Sequence, residues 1–291
     1  MKTHYDIIIP VAKKDISFIP VTIEFVMKNL STDSYIYIIT SERNFKYLKN
    51  KLPNSCVLLD ENALINILTF SKVKEYILEV SKNSVSRTGW YFQQFLKYAF
   101  ALSDYCKSEY YLSWDADTLP LRKIDFLNDG HPLFTIKNEY NKPYFNTMSR
   151  LLGLNKVVDY SFIAEHMLFK KDIVEKLIEE ISHSKVEGEN WIQKIINSCD
   201  FVNDKYNLFS EFETYGTFCT VNYPDLYIPR QLNTFRGAGL IRGRHINSFI
   251  IDKLSMDLDI ASFEESHAMF PWNLQYLLRK YFKKLLFAKK H

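Results

Sequence analysis

Apolar positions in the first part of the chain alternate between short continuous runs and helical spacings. Asp6–Pro10 (DIIIP), Ser34–Thr40 (SYIYIIT), Cys56–Leu59 (CVLL) and Tyr110–Trp114 (YYLSW) are compact runs rich in β-branched or aromatic residues, and they predict strands. Between them, Ser17–Leu30 carries Phe18, Val21, Phe25 and Met27 at helical spacing, and Glu42–Asn50 reads as a charged helix. Leu64–Val80 and Trp90–Tyr105 predict two further helices, the second with Phe92, Phe95, Leu96, Ala99 and Phe100 on one side. Strands separated by helices at this rhythm predict βαβ units and a mostly parallel sheet.

The second half is less regular. Pro132–Lys137 and Phe162–Phe169 predict strands, Lys171–Ser182 and Trp191–Ser198 predict helices, and residues 221–251 mix Pro, Gly and Arg as a loop region with short strands. No repeat and no Gly/Ser linker interrupts this course. The pattern therefore predicts one α/β domain over residues 1–271, with halves at 1–126 and 127–271, and an appendage at 272–291.

In the appendage, Leu274, Leu277, Leu278, Tyr281, Phe282, Leu285 and Leu286 fall on one helical stripe, flanked by Arg279, Lys280, Lys283, Lys284, Lys289 and Lys290 and begun by Trp272. This pattern predicts a basic amphipathic helix on an anionic membrane surface; packing on the domain or on another subunit is the competing reading. The charge supports its separateness. The chain has 37 Lys and Arg against 34 Asp and Glu, and residues 279–291 hold six of the basic ones and no acid, so the remaining body is slightly acidic. Nucleic-acid binding is excluded on that ground, because its cations belong on the folded body. The four cysteines, Cys56, Cys106, Cys199 and Cys219, lie far apart without metal-site spacing and predict reduced thiols in a cytoplasmic protein. The apolar run near the N-terminus is too short for a signal peptide, and no stretch of about 18 apolar residues predicts a membrane span.

The most informative segment is Tyr110–Leu121 (YYLSWDADTLPL), where an apolar strand runs directly into Asp115-Ala116-Asp117. In a parallel α/β sheet, ligands bind beyond the carboxyl ends of the strands. Two carboxylates one residue apart at such a strand end suit a hard cation, Mn²⁺ or Mg²⁺, completed by water and phosphate oxygens. Asp also begins turns without any ligand. Haloacid-dehalogenase-type phosphatases carry Asp-x-Asp-Gly-Thr-Leu, whereas this chain has DADTL without the Gly. Nucleotidylyltransferases need a Gly-rich, Arg-containing loop after the first strand, and here that loop is PVAKKD. GT-A-type glycosyltransferases place their DxD after roughly one hundred residues of α/β fold.

Four blocks occur in order: GWYFQQFLKYAF (89–100), SEYYLSWDADTLPLRKIDF (108–126), AEHMLFKKDIV (164–174) and FSEFETYGTF (209–218). Together they resemble a family of bacterial GT-A-type glycosyltransferases of surface-polysaccharide synthesis, including lipopolysaccharide and capsule, over residues 5–250. The resemblance implies a GT-A-like Rossmann-type fold with a mostly parallel central sheet. It also implies a donor-binding half ending in the DxD, an acceptor-side half after it, a divalent metal, a nucleotide-sugar donor and a glycan or lipid-linked acceptor. With the C-terminal helix, it implies a protein on the inner face of the cytoplasmic membrane.

On that resemblance, Asp115 and Asp117 hold the metal, with His245 or His267 as a further ligand. Pro10, Val11 and Lys13 at the first strand's end, Trp114 and Asp115, and Arg87, Gln94 and Lys97 around the preceding helix contact the donor. Arg236, Arg242 and Arg244 around Gly237–Gly243, a mobile glycine loop, are phosphate clamps or plain surface charges. Glu211, then Glu213, is the expected base for the acceptor hydroxyl, or else caps a helix behind Ser210. Glu165 and His166 face the acceptor or simply line a wall. Two other readings stay open: a nucleotidyl- or phosphotransfer enzyme on a similar fold, and a non-catalytic sugar-binding or membrane scaffold.

Overall fold

The computed structural model describes residues 4–30, 35–203, 207–267, 269, 274, 277, 278 and 281. In chain order the elements begin with β1 (Tyr5–Pro10), α1 (Ile19–Asn29), β2 (Ile36–Thr40), α2 (Phe45–Leu48), β3 (Cys56–Asp60), α3 (Phe70–Val80), α4 (Thr88–Ala99) and β4 (Tyr110–Trp114). They continue with β5 (Thr118–Pro120), β6 (Leu127–Asn128), β7 (His131–Thr135), α5 (Lys142–Leu152), β8 (His166–Lys170), α6 (Lys171–His183), α7 (Trp191–Ser198) and α8 (Glu211–Asn222). The last are β9 (Ile228–Arg230), β10 (Thr234–Phe235), α9 (Gly239–Arg242), α10 (Ser248–Asp257) and β11 (Ile260–Ser262).

These elements form two compact units, each assembled from several segments. The first comprises Met1–Lys13, Thr32–Asp115 and Asp125–Gln231; the second comprises Lys14–Ser31, Ala116–Ile124 and Leu232–His291. The chain passes from the first unit to the second inside the DxD, between Asp115 and Ala116.

The first unit is a mixed α/β fold around a five-stranded sheet of order β3-β2-β1-β4-β8. β1, β2, β3 and β4 are parallel, and β8 joins the edge of β4 antiparallel. Every residue of β1, β2 and β4 is buried, as expected for central strands covered on both faces. β1 pairs β4 from Tyr5–Tyr110 to Ile8–Ser113. A large aromatic core, including Tyr91, Phe92, Phe95, Tyr98, Phe100, Tyr111, Phe169 and Trp191, fills the space between the sheet and α3, α4, α6, α7 and α8. A second sheet, β6-β7-β9, completes this unit.

The second unit is built on a three-stranded sheet of order β10-β11-β5. Its core gathers Phe18, Leu119, Leu121, Ala238, Ile251, Ala261 and Phe263. α1 is tied to the strand segment by Thr22 Oγ1 donating to the Ala116 carbonyl and Asn29 Nδ2 donating to the Pro120 carbonyl, both at 2.7 Å.

Several elements depart from the sequence pattern for local reasons. α3 starts at Phe70 rather than Leu64 because the Thr69 hydroxyl caps it, accepting from Lys72 N at 3.2 Å. The strand expected over Phe162–Phe169 begins at His166, and Phe162 N donates to the Glu213 carboxylate instead of to a ladder. α5 is a helix in a stretch to which the sequence pattern assigns no element. Pro143 lies in its first turn, Phe145, Met148 and Leu151 point inward at threefold spacing, and Gly153 ends it at φ 69°. Of the C-terminal stretch, Leu274, Leu277, Leu278 and Tyr281 are helical and exposed, while the rest of the expected 272–291 helix lies outside the described residues. Among the described residues no helix is long and apolar enough to cross a membrane.

Candidate active site

The sheet order fixes where a ligand can bind in the first unit. From β1 the chain builds outward through β2 to β3, then returns to place β4 on the other side of β1. The direction of winding therefore reverses between β1 and β4, and in open α/β sheets the crevice at such a switch point, beyond the carboxyl ends of the strands, is the ligand site. Pro10 ends β1 with Val11 directly after it, and Asp115 follows β4 directly. Val11 is locked to β2, its N–H donating to the Ile39 carbonyl at 2.8 Å and its carbonyl accepting from Thr40 Oγ1 at 2.7 Å. Lys13 is exposed just beyond.

Asp115 anchors a buried charge cluster. Lys97, on the inner face of α4, donates from Nζ to Asp115 Oδ1 at 2.9 Å and to Glu211 Oε1 at 2.7 Å. The Lys97 and Glu211 side chains are 8% and 6% exposed, and Asp115 is 38% exposed. Burial alone would drive the Lys97 ammonium toward neutrality, but the two carboxylates hold its pKa above the ordinary lysine range. Glu211 is shifted upward, because burial outweighs the pull of Lys97. Gln94, one turn before Lys97, accepts from Glu211 N through Oε1 at 3.2 Å, and its Nε2 is buried without a hydrogen-bond partner among the described residues.

The other residues expected at the acceptor side are sealed inside the first unit. Ser210 caps α8, accepting from Glu213 N at 3.2 Å, as the sequence suggested. Glu213 is buried and its Oε2 accepts from Phe162 N at 2.7 Å, so the carboxylate serves the fold; burial raises its pKa. The Glu211 and Glu213 side chains, expected as candidate bases, are both buried. His166 stacks on Trp114 with ring centroids 5.1 Å apart, and its Nε2 shares a hydrogen bond with Thr135 Oγ1 at 2.8 Å. Burial, then Arg230 and Lys137, push its pKa well below the usual histidine value, so the buried ring is neutral. Glu165 is buried 3.8 Å from Lys137 Nζ, and its carbonyl accepts from Asp115 N at 3.0 Å. Trp114, expected at the donor, is fully buried. Arg87 remains exposed at the entry to α4, its guanidinium donating to Asn207.

In the second unit, Asp117 is fixed through its carbonyl, which accepts from Phe263 N at 2.7 Å. Its Oδ2 lies 3.7 Å from Arg244 Nη2. Arg244 also pairs with buried Asp15, donates from Nη1 to the Lys14 carbonyl and from Nε to the Phe263 carbonyl, both at 2.9 Å, and packs over Phe18. Of the arginines expected as phosphate clamps, this one is an internal staple. The glycine loop is equally constrained: a Cβ on Gly239 would stand 2.8 Å from the Glu264 carbonyl oxygen, which accounts for the glycine by close approach rather than by mobility.

Asp115 keeps part of its carboxylate exposed, and a carboxylate completed by water and phosphate oxygens is the kind of donor a hard cation takes. Among the described residues no three His, Cys, Asp or Glu side chains gather to hold a metal. His245 is exposed, and His267 Nε2 faces Glu264 at 3.4 Å, so neither completes a cluster.

A family model described as a family of unknown function, DUF6492, matches residues 15–228. The chain belongs to the DUF6492 family. No curated protein matches it. Among solved structures, this DUF6492 chain is similar to mouse xyloside xylosyltransferase 1, at 11% identity and a TM-score of 0.45, over 89% of this chain and 97% of that one. It is similar to the galactosyltransferase LgtC in complex with donor and acceptor sugar analogues, at 14% identity and a TM-score of 0.42, over 89% and 86%. It is also similar to the mannosyltransferase Ktr4p from S. cerevisiae, at 12% identity and a TM-score of 0.43, over 68% and 66%.

Proposed function

We propose that this protein is a metal-dependent glycosyltransferase that moves a sugar from a nucleotide-sugar donor to a hydroxyl of a glycan or lipid-linked acceptor in bacterial surface-polysaccharide synthesis. The observation that carries the reading is the place of Asp115, a half-open carboxylate at the carboxyl end of β4, where the sheet order reverses beside β1. The four ordered sequence blocks around it supply the reaction class.

Asp115 and Asp117 would hold Mn²⁺ or Mg²⁺, which when bound offsets the charge growing on a diphosphate leaving group. The exposed cations Lys13 and Arg87 are assigned to the donor phosphates, and the backbone of Pro10–Val11 forms the fixed edge for the base and ribose. Lys97 is not assigned to phosphate, because its ammonium already serves two carboxylates. For the acceptor, residues 272–291 bring the protein to the inner face of an anionic membrane, a role supported by the exposed Leu274, Leu277, Leu278 and Tyr281 and by the six cations in the sequence around them.

The test is thermal stabilisation of the full chain by a panel of nucleoside diphosphates and nucleotide sugars with Mn²⁺. A true donor at about 100 times its Kd adds about 2.7 kcal/mol and shifts the melting temperature. Absence of any shift, together with no nucleotide-sugar hydrolysis, overturns the reading.

A further inference from the structure

We infer that Lys97 and Glu211 form a buried positioning device for Asp115, which holds one of its carboxylate oxygens so that the other faces outward at the end of β4. This rests on the reading of Asp115 as a metal-holding residue. An ammonium has three donors. One reaches Asp115 Oδ1 at 2.9 Å and another reaches Glu211 Oε1 at 2.7 Å, while Nζ lies 4.1 Å from the centroid of the Phe212 ring.

Each part of the device is itself pinned. Glu211 N donates to Gln94 Oε1 at 3.2 Å, the Glu211 carbonyl accepts from Tyr98 OH at 2.6 Å, and the Lys97 carbonyl accepts from Tyr111 OH at 2.9 Å. The two side chains are almost closed to solvent and Asp115 is not. The cluster holds two carboxylates and one ammonium, so one negative charge is left over, at its exposed end. A buried ion pair is a poor source of stability relative to apolar packing. What this one does provide is a fixed rotamer for the carboxylate at the switch point, as partners behind metal-holding groups generally do. Glu211 is thereby a positioning residue: sealed against Lys97, it lies out of hydrogen-bond reach of an acceptor hydroxyl in solvent.

The experiment uses the full chain and Mn²⁺ alone as the probe, with free Mn²⁺ read by electron paramagnetic resonance. The Lys97→Met/Glu211→Gln double variant swaps the pair for neutral groups of similar size and leaves the net charge of the cluster unchanged; it also removes the ammonium 2.9 Å from Asp115, which by charge alone would favour a cation, so weaker binding reports lost position. It is expected to fold and to bind Mn²⁺ roughly 10–100-fold more weakly; unchanged affinity in the folded variant overturns the inference. Single variants give a second readout. Glu211→Gln keeps an oxygen for Lys97 and should recover most of what Glu211→Ala loses, whereas equal losses overturn it. If the natural chain takes no Mn²⁺, the metal reading fails separately, and crystal structures decide the device. Asp115 must leave its present rotamer in the double variant, and an unmoved Asp115 overturns the inference.

Discussion

Arg244 and Asp117 stand 3.7 Å apart within the second unit, with Asp15 on the same guanidinium. Asp15 is 5% exposed at its side chain and pairs with that arginine. Arg244→Ala strands a buried carboxylate and removes two bonds to backbone carbonyls, and should cost about 3–5 kcal/mol in urea unfolding. Arg244→Lys keeps the charge but not the fork, and should recover only part of the loss. Natural stability in Arg244→Ala, with loss of nucleotide binding, would instead make this residue a phosphate clamp.

The carboxylates of the DxD should be separable from the fold. Asp117 accepts from Phe263 through its backbone, which a side-chain change leaves in place. Asp117→Ala is therefore expected to fold while losing transfer and binding nucleoside diphosphate more weakly in Mn²⁺. Full turnover of that variant in the presence of a chelator removes the metal from the proposal.

Glu61, directly after β3, has its pKa raised to about 7 by burial, with neighbouring Asp60 adding to the shift. In the unfolded chain it titrates near 4.5. Between those values the folded state holds the extra proton, so stability falls as pH rises from about 4.5 to about 7. Glu61→Gln should flatten that part of the stability profile and leave the protein more stable than the natural chain at pH 8. Parallel profiles for the two proteins would show that Glu61 ionises in the fold without cost.

The strands were the most legible part of the sequence. β1 and β4 are continuous apolar runs, and their parallel, doubly covered environment is what such runs require. Helix α8 was legible from its Ser210 cap, but the roles of Glu211 and Glu213 were not, because first-turn acids look alike whether they face solvent or the core. The Lys97–Glu211 pair joins residues 114 apart, a separation no local pattern reports. A signal for Lys97 did exist: it lies one helical turn after Gln94 and inside the apolar run Phe95–Ala101, and a lysine among such residues needs a carboxylate. The division into two units was hidden because 14–31 and 116–124 are too short to show a composition shift.

Membrane association can be tested apart from catalysis. Leu274, Leu277, Leu278 and Tyr281 follow the i, i+3, i+4, i+7 spacing of one helical stripe and are all exposed, between 44% and 60%. Six Lys and Arg share the same stretch of sequence, against a body that is otherwise slightly acidic. Each cation near an anionic surface contributes about 1 kcal/mol, and that attraction decays within a Debye length. Apolar burial adds a component that salt does not screen. Binding should thus be tighter to vesicles containing anionic lipid than to neutral ones, and be weakened but not abolished by about 0.5 M salt. Deleting 272–291 should leave a folded protein that still takes up nucleotide sugar and no longer sediments with vesicles. Unfolding on deletion, or vesicle binding that survives it, would assign the stripe to the interior of the fold or to a contact between subunits.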